Sequence, residues 1–226
     1  MECATYLVAF YGQITLDQGN DNDCYDGDEY IVSFPASATY VTAVGGTQGT
    51  NEVAWMYSGG GFSNYFSLPS WQKSAVNGYF DENIDFPDSD RYTAGMAGVP
   101  DIAAQSVDYV IVVEEEFYVV SGTSAACPVV AGMVAMINAA RAENGESSLG
   151  FLNPTLYSVY DSQSNDNEYF NDVTQGYNEG CSVDDEIGWY AASGWDPVTG
   201  VGSPKFDALY SVLSTSSRHG NRGGHE

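Results

Sequence analysis

Residues 121–128 read Ser121-Gly122-Thr123-Ser124-Ala125-Ala126-Cys127-Pro128. Just before them, Phe117-Tyr118-Val119-Val120 has the aromatic and β-branched composition of a strand. After them, an apolar pattern of helical spacing continues to about Ala142. Val130, Val134 and Ile137 fall on one face, with Met133 and Met136 beside them. A strand ends, a glycine turns, and Ser124 lands at the start of a long helix. Ala125, Ala126, Ala131 and Gly132 are expected to let that helix approach a sheet closely. Pro128 is expected in its first turn, where the missing N–H costs little. Ser124 then has two readings. A nucleophile here gains from the unpaired N–H groups and positive field of a helix start, which stabilise an alkoxide or an oxyanion. The other reading is a helix cap, a position serine favours.

Working outward, Thr5 to Phe10 reads as a short strand, and Asp17 to Glu29 as a loop rich in Asp, Asn and Gly. Tyr40 to Val44 reads as a buried strand closed by a turn at Gly45-Gly46. Ser58-Gly59-Gly60-Gly61-Phe62 is a glycine-rich loop, and Pro69 to Phe80 has helical spacing behind a proline. Tyr109 to Val113 and Phe117 to Val120 make two strands around the acidic turn Glu114 to Glu116. Asn153-Pro154 opens a short helix, Asp161 to Glu168 is a polar loop, and Phe206 to Leu213 a last helix. Strands alternating with helices predict an α/β layered domain with a mostly parallel sheet. Residues 1–215 are read as one unit, and 216–226, rich in Gly, Arg and His, as a disordered tail.

The 226 residues carry 6 Lys+Arg against 31 Asp+Glu, a net charge of -25. Such a surface repels phosphate, which argues against nucleic acid and anionic membranes as partners. No run of 18 apolar residues occurs, so no membrane-inserted helix is expected. The acidity suits either a salt-rich setting or an acidic compartment. The opening MECATYLVAF has neither the cationic start nor the long apolar core of a signal peptide. Of Cys3, Cys24, Cys127 and Cys181, none forms a CxxC pair, and the only histidines are His219 and His225, so a zinc site is not expected. Cys127 reads as a buried small hydrophobe, while Cys24 and Cys181 lie in polar, loop-like stretches. A serine nucleophile needs a base. With both histidines in the tail, a carboxylate acting at low pH or with a raised pKa is the alternative.

Seven separated motifs then run in order. They are Phe34-Pro35-Ala36-Ser37-Ala38-Thr39-Tyr40-Val41-Thr42-Ala43-Val44-Gly45-Gly46-Thr47, Ser58-Gly59-Gly60-Gly61-Phe62-Ser63, Pro100-Asp101-Ile102-Ala103-Ala104, Ser121-Gly122-Thr123-Ser124, Leu149-Gly150-Phe151-Leu152-Asn153-Pro154, Phe170-Asn171-Asp172-Val173-Thr174 and Gly194-Trp195-Asp196-Pro197-Val198-Thr199-Gly200. With these the chain resembles the sedolisins, serine-carboxyl peptidases, over about residues 10 to 213. Ser-Gly-Thr-Ser alone also suits subtilisins; the last three motifs favour sedolisins.

The resemblance implies a subtilisin-like layered α/β fold, here a partial domain, and endo- or tripeptidyl-peptidase activity on peptides or proteins at acidic pH. It implies Ser124 as nucleophile and, as its base, a Glu with an Asp four residues later on one helical face. No Glu-x-x-x-Asp occurs between Met1 and Ser124, so the pair is expected upstream, in a missing N-terminal half of the catalytic domain. At the family's oxyanion position direct alignment places Asn20, or Asp21 if the register shifts by one; an ordinary Asx turn is the rival reading. The resemblance also implies one Ca2+ ion, with Asp172 and Asp196 as side-chain ligands and Val173, Ala192 and Gly194 as carbonyl donors. Ala192 stands where the family often has glycine. Cys24 and Cys181 fall where some relatives have a disulfide. A secreted, lysosomal or vacuolar location follows from the family. The alternative is a catalytically inactive, calcium-stabilised relative with a binding or structural role.

Overall fold

The computed structural model describes the backbone of residues 6–9 and 15–16, and residues 30–82, 84–85, 87–89, 91–164, 167–180 and 187–215. The first strands are β1 (Tyr6–Ala9), β2 (Thr15–Leu16), β3 (Tyr30–Ile31), β4 (Val41–Gln48), β5 (Val53–Ala54) and β6 (Gly61–Ser67). Helix α1 (Lys73–Asp81) precedes β7 (Met96–Val99), β8 (Ile102–Gln105), β9 (Tyr109–Val113) and β10 (Glu116–Val120). Helices α2 (Thr123–Glu143) and α3 (Leu152–Ser162) follow, then β11 (Phe170–Asn171), β12 (Tyr177–Glu179), β13 (Ile187–Tyr190), β14 (Ser203–Pro204) and α4 (Phe206–Leu213).

The central sheet is parallel at its heart. β4 pairs with β1 in the register Tyr6↔Val41 to Ala9↔Val44, and with β8 in the register Val44↔Ile102 to Thr47↔Gln105. Among the described residues β5 alone joins it antiparallel, at Thr47 and Gln48. Helix α2 lies across β1, β4 and β8, α3 meets β4 and α1, and α4 meets α2. The α/β, subtilisin-like layering expected from the sequence is therefore present.

Four local expectations change. β4 does not stop at Gly45-Gly46 but runs through both to Gln48. The glycines mark close approach, not a turn. A Cβ at Gly45 would lie 2.8 Å from both Pro100 Cγ and the Val198 carbonyl oxygen, and one at Gly46 would lie 2.4 Å from Ser106 Oγ. Helix α1 starts at Lys73 rather than at Pro69, because Pro69 to Gln72 form a turn closed by the Gln72 N–H on the Pro69 carbonyl (3.1 Å). The buried Gln72 side chain is then spent on β7: its Nε2 donates to the Gly98 carbonyl (2.8 Å) and its Oε1 accepts the Gly98 N–H (2.9 Å). Gly132 does not face the sheet; it is exposed, and a Cβ there would meet no atom within 4 Å. Pro128 lies beyond the first turn of α2.

By length and composition alone, helix α2 also passes as a membrane span, which the sequence was not expected to contain. Its packing on the sheet is that of a core helix. Val130 and Ile137 are buried there, as the spacing predicts, and Cys127 with them. Beside aliphatic residues such as Ile102, Leu152 and Leu156, the core holds an aromatic cluster. Phe62 meets Trp189 edge-on (centroids 5.0 Å, 77°) and stacks on Phe80 (5.1 Å, 28°), while Trp195 meets Tyr79 edge-on (6.0 Å, 88°). The glycine-rich stretch exists to admit this packing: a Cβ at Gly60 would lie 1.7 Å from the Pro197 carbonyl oxygen. Asn20, Asp21, Cys3, Cys24, Cys181, both histidines and the tail 216–226 lie outside the described residues.

Candidate functional site

Two backbone bonds fasten the start of α2 to the sheet. The Ser106 N–H, just past β8, donates to the Thr47 carbonyl of β4 (2.8 Å), and the Gly122 N–H donates to the Ser106 carbonyl (2.6 Å). The first turn of α2 thus stands at the carboxyl ends of two parallel strands, the place where sheets of this class carry their chemistry. Gly122 is the cap, in extended backbone, and no side chain caps the helix. Ser124 is therefore not a cap, and that reading falls away. Its side chain is exposed, and no described residue makes a hydrogen bond to its hydroxyl. The neighbouring Thr123 is fully buried. Pro128 follows Ser124 by four residues, so the N–H that would bond the Ser124 carbonyl is missing. The serine has the helix start the sequence predicted, and no described acid or imidazole is bonded to it.

The second feature is the turn around Asp196. This carboxylate is buried with both oxygens occupied. Oδ1 accepts the N–H groups of Val198 (2.9 Å) and Thr199 (2.8 Å); Oδ2 accepts the Ala192 N–H (3.2 Å) and the Thr199 hydroxyl (3.0 Å). Burial pushes its pKa up to about 7 against those four bonds. Asp172 reaches the same segment from just after β11, and the Gly194 N–H donates to both of its oxygens, each at 3.1 Å. Gly194 has φ +80 and a Cβ there would lie 2.7 Å from the Tyr160 hydroxyl, so glycine is required at this corner.

Of the five residues that the resemblance named as cation ligands, the structure bonds Gly194 to Asp172 and Ala192 to Asp196, and Val173 follows Asp172 in the chain. Among the described residues none donates a hydrogen bond to the carbonyl oxygens of Val173, Ala192 or Gly194. Val173 and Ala192 are buried, and a buried carbonyl normally has a partner. Donorless carbonyls beside two carboxylates are an oxygen set of the kind that hard cations take. No group of three or more His, Cys, Asp or Glu lies together among the described residues, so any cation here depends on those carbonyls.

Two acids the sequence did not assign also stand out. Asp101 lies just before β8, buried, with Oδ2 accepting the Ala43 N–H (2.8 Å) and Oδ1 the Tyr157 hydroxyl (3.0 Å). The Tyr157 hydroxyl in turn accepts from Gln72 Nε2 (2.7 Å). Desolvation pushes the Asp101 pKa up to about 7. An acid beside the apolar run Ile102-Ala103-Ala104 was the one signal of burial available in sequence. Glu52 is the other. It binds residues 119 and 151 positions away, which no local pattern reveals.

The fold, with a serine at the carboxyl edge of its sheet, is that of a subtilisin-like domain. The family model described as the Subtilase family matches residues 18–155. Tripeptidyl-peptidase sed4 of Aspergillus fumigatus is 41% identical over 214 residues, covering 85% of this chain and 35% of that protein. Tripeptidyl-peptidase 1 of Homo sapiens is 43% identical over 195 residues, covering 82% of this chain and 33% of that protein. The solved structure of Pseudomonas sedolisin, a serine-carboxyl proteinase complexed with pseudo-iodotyrostatin, superposes with a TM-score of 0.70 at 30% identity, covering 92% of this chain and 55% of that one. The chain belongs to the subtilase family, in its sedolisin branch. It spans about a third of the length of the curated relatives it matches.

Proposed function

We propose that this chain is the nucleophile-bearing part of a serine-carboxyl peptidase that cleaves peptides or proteins in acid. The observation that carries the reading is Ser124: exposed, free of a capping duty, and fixed by Gly122 and Ser106 to the sheet edge. In the reaction the Ser124 Oγ bonds to the scissile carbonyl carbon as its proton passes to a carboxylate base. The resulting oxyanion collapses, the C–N bond breaks, and that proton leaves on the amine. Water then cleaves the acyl ester. The base is a Glu/Asp pair in the N-terminal half of the catalytic domain, upstream of these residues, and Asn20 or Asp21 serves the oxyanion. An extracellular or lysosome-like acidic setting accords with the charge of -25.

Surfaces left bare support the packing of an N-terminal half of the catalytic domain against these residues. Among the described residues β1 pairs with β4 alone, so its outer edge offers a strand position. The exposed side of α2 carries Gly132, Ala135, Met136 and Ala139. We further propose that Asp172, Asp196 and the carbonyls of Val173, Ala192 and Gly194 hold one Ca2+ ion. Bound there, calcium supplies charge that offsets two carboxylates and ties the 172–173 and 192–196 segments together.

The test joins this chain to the N-terminal part of a sedolisin catalytic domain and measures peptide cleavage in acid. The chain alone is expected to be inactive, and the joined protein to cleave, with activity abolished by Ser124→Ala. A folded joined protein whose cleavage ignores Ser124→Ala overturns the peptidase reading and favours a binding or structural role.

A further inference from the structure

Glu52 sits in the tight turn between β4 and β5 with φ +42, a left-handed conformation that a glutamate seldom adopts. Such an outlier persists where the surroundings over-determine it. Here they do. Oε1 accepts the Thr47 hydroxyl (3.1 Å), from β4. Oε2 accepts both Asn171 Nδ2 (2.6 Å) and the Ser203 hydroxyl (2.5 Å). Asn171 and Ser203 are partners across the β11–β14 ladder, so one carboxylate oxygen grips both strands of that ladder at once. The next residue after Asn171 is Asp172, whose two oxygens face Gly194. The ladder is also crowded from behind: a Cβ at Gly202 would lie 2.2 Å from the Asn171 carbonyl oxygen. The Asn171 backbone therefore has little freedom, and its side chain is held from the central sheet.

We propose that Glu52 is a positioning residue for the cation loop, locking Asn171 so that Asp172 is presented to the 192–196 turn. The proposal rests on the calcium reading above and extends it by a residue 120 positions upstream of the ligand it sets. Glu52 touches none of the five ligands; it acts through Asn171, as outer partners do at metal sites, where losing one typically weakens binding about 10- to 100-fold. A neutral amide at residue 52 keeps the shape of the side chain but has one acceptor oxygen in place of two and lacks the charge that strengthens the bonds from Asn171 and Ser203.

The deciding experiment titrates calcium chloride calorimetrically into the full chain and its Glu52→Gln, Asn171→Ala and Thr47→Val variants, with each melting temperature recorded in EDTA. Glu52→Gln and Asn171→Ala are each expected to raise the calcium Kd at least about tenfold, and the double variant no further than either alone. Thr47→Val removes a Glu52 contact on the side away from Asn171; it is expected to lower the EDTA melting temperature and leave the calcium Kd unchanged. If Glu52→Gln does not fold, Asn171→Ala cuts the same link and decides the matter. Wild-type binding with unchanged affinity in Asn171→Ala overturns the positioning role and leaves the calcium site standing. An equal weakening by Thr47→Val reduces Glu52 to general scaffolding and also overturns it. Failure of the wild type to bind calcium overturns the site and this inference together.

Discussion

Around Asp196 and Trp195 the largest side chains are enclosed and the oxygens of Asp172 and Asp196 have donors; around α2 and the β9–β10 hairpin, apolar side chains stand in water. Trp189, Trp195, Phe170 and Val198 are essentially inaccessible, whereas Met136 is 56% and Phe117 79% exposed. Eight hairpin residues with large apolar side chains, four in each strand, are exposed in this way. A chain with 31 acidic residues has ample polar matter to cover itself, so a contiguous apolar surface marks a contact face rather than a shortage of charge. One side of the molecule is closed over by its own residues; the other leaves apolar side chains exposed.

The largest expected effect is on the closed side. Trp195→Ala removes a fully buried indole, its edge-on contact with Tyr79, and the bond from Nε1 to the Pro100 carbonyl (3.0 Å). Truncation and the stranded carbonyl together are expected to cost about 5 kcal/mol, a large part of a domain's net stability. Urea unfolding measures it. A loss under about 2 kcal/mol would mean that this side is no better packed than the other.

Next in size is Asp101. Its folded pKa, about 7, is raised above the ordinary aspartate value of 3.8, with burial as the first cause. Between those values the folded chain holds a proton that the unfolded chain releases. The associated stability is present below about pH 4 and is lost as pH rises through about 7, a change on the order of 4 kcal/mol. Asp101→Asn is expected to flatten that part of the decline across the same interval. Parallel stability curves for the two proteins would show that Asp101 does not carry it.

The same contrast governs what the sequence discloses. Helix α4 is found at the predicted Phe206–Leu213, and α2 within a residue of its predicted ends, since both follow an apolar period of 3.6. The continuation of β4 through Gly45-Gly46 was hidden because its cause lies in Pro100, Ser106 and Val198, distant in sequence. Ser124 was legible from a strand, a glycine and a helix in succession. The cation residues were named only through the family resemblance. Asp101 and Glu52 were not assigned at all: their partners Tyr157, Asn171 and Ser203 come from later elements, and a single acid in a strand or turn carries no mark of the bonds it will make.

Gly132 tests the open side. It lies in mid-helix with open space where a methyl would go. Gly132→Ala is expected to stabilise the isolated chain by about 0.5–1 kcal/mol through helix propensity. If an N-terminal half of the catalytic domain packs on this face, the same methyl is expected to weaken assembly with it, so thermal stability and assembly affinity move in opposite directions. A stabilising effect on both would place Gly132 outside the contact face.

The smallest stability effect belongs to the hairpin. Phe117 pairs across the ladder with Val112 and is otherwise open to solvent. Phe117→Ser should therefore change unfolding free energy by no more than about 0.5 kcal/mol, while reducing any concentration-dependent association seen by sedimentation. The combination is diagnostic, because a core residue cannot be replaced by serine at so little cost. A loss above about 2 kcal/mol would show that the hairpin packs against its own chain, and the distinction between a closed and an open side would no longer hold.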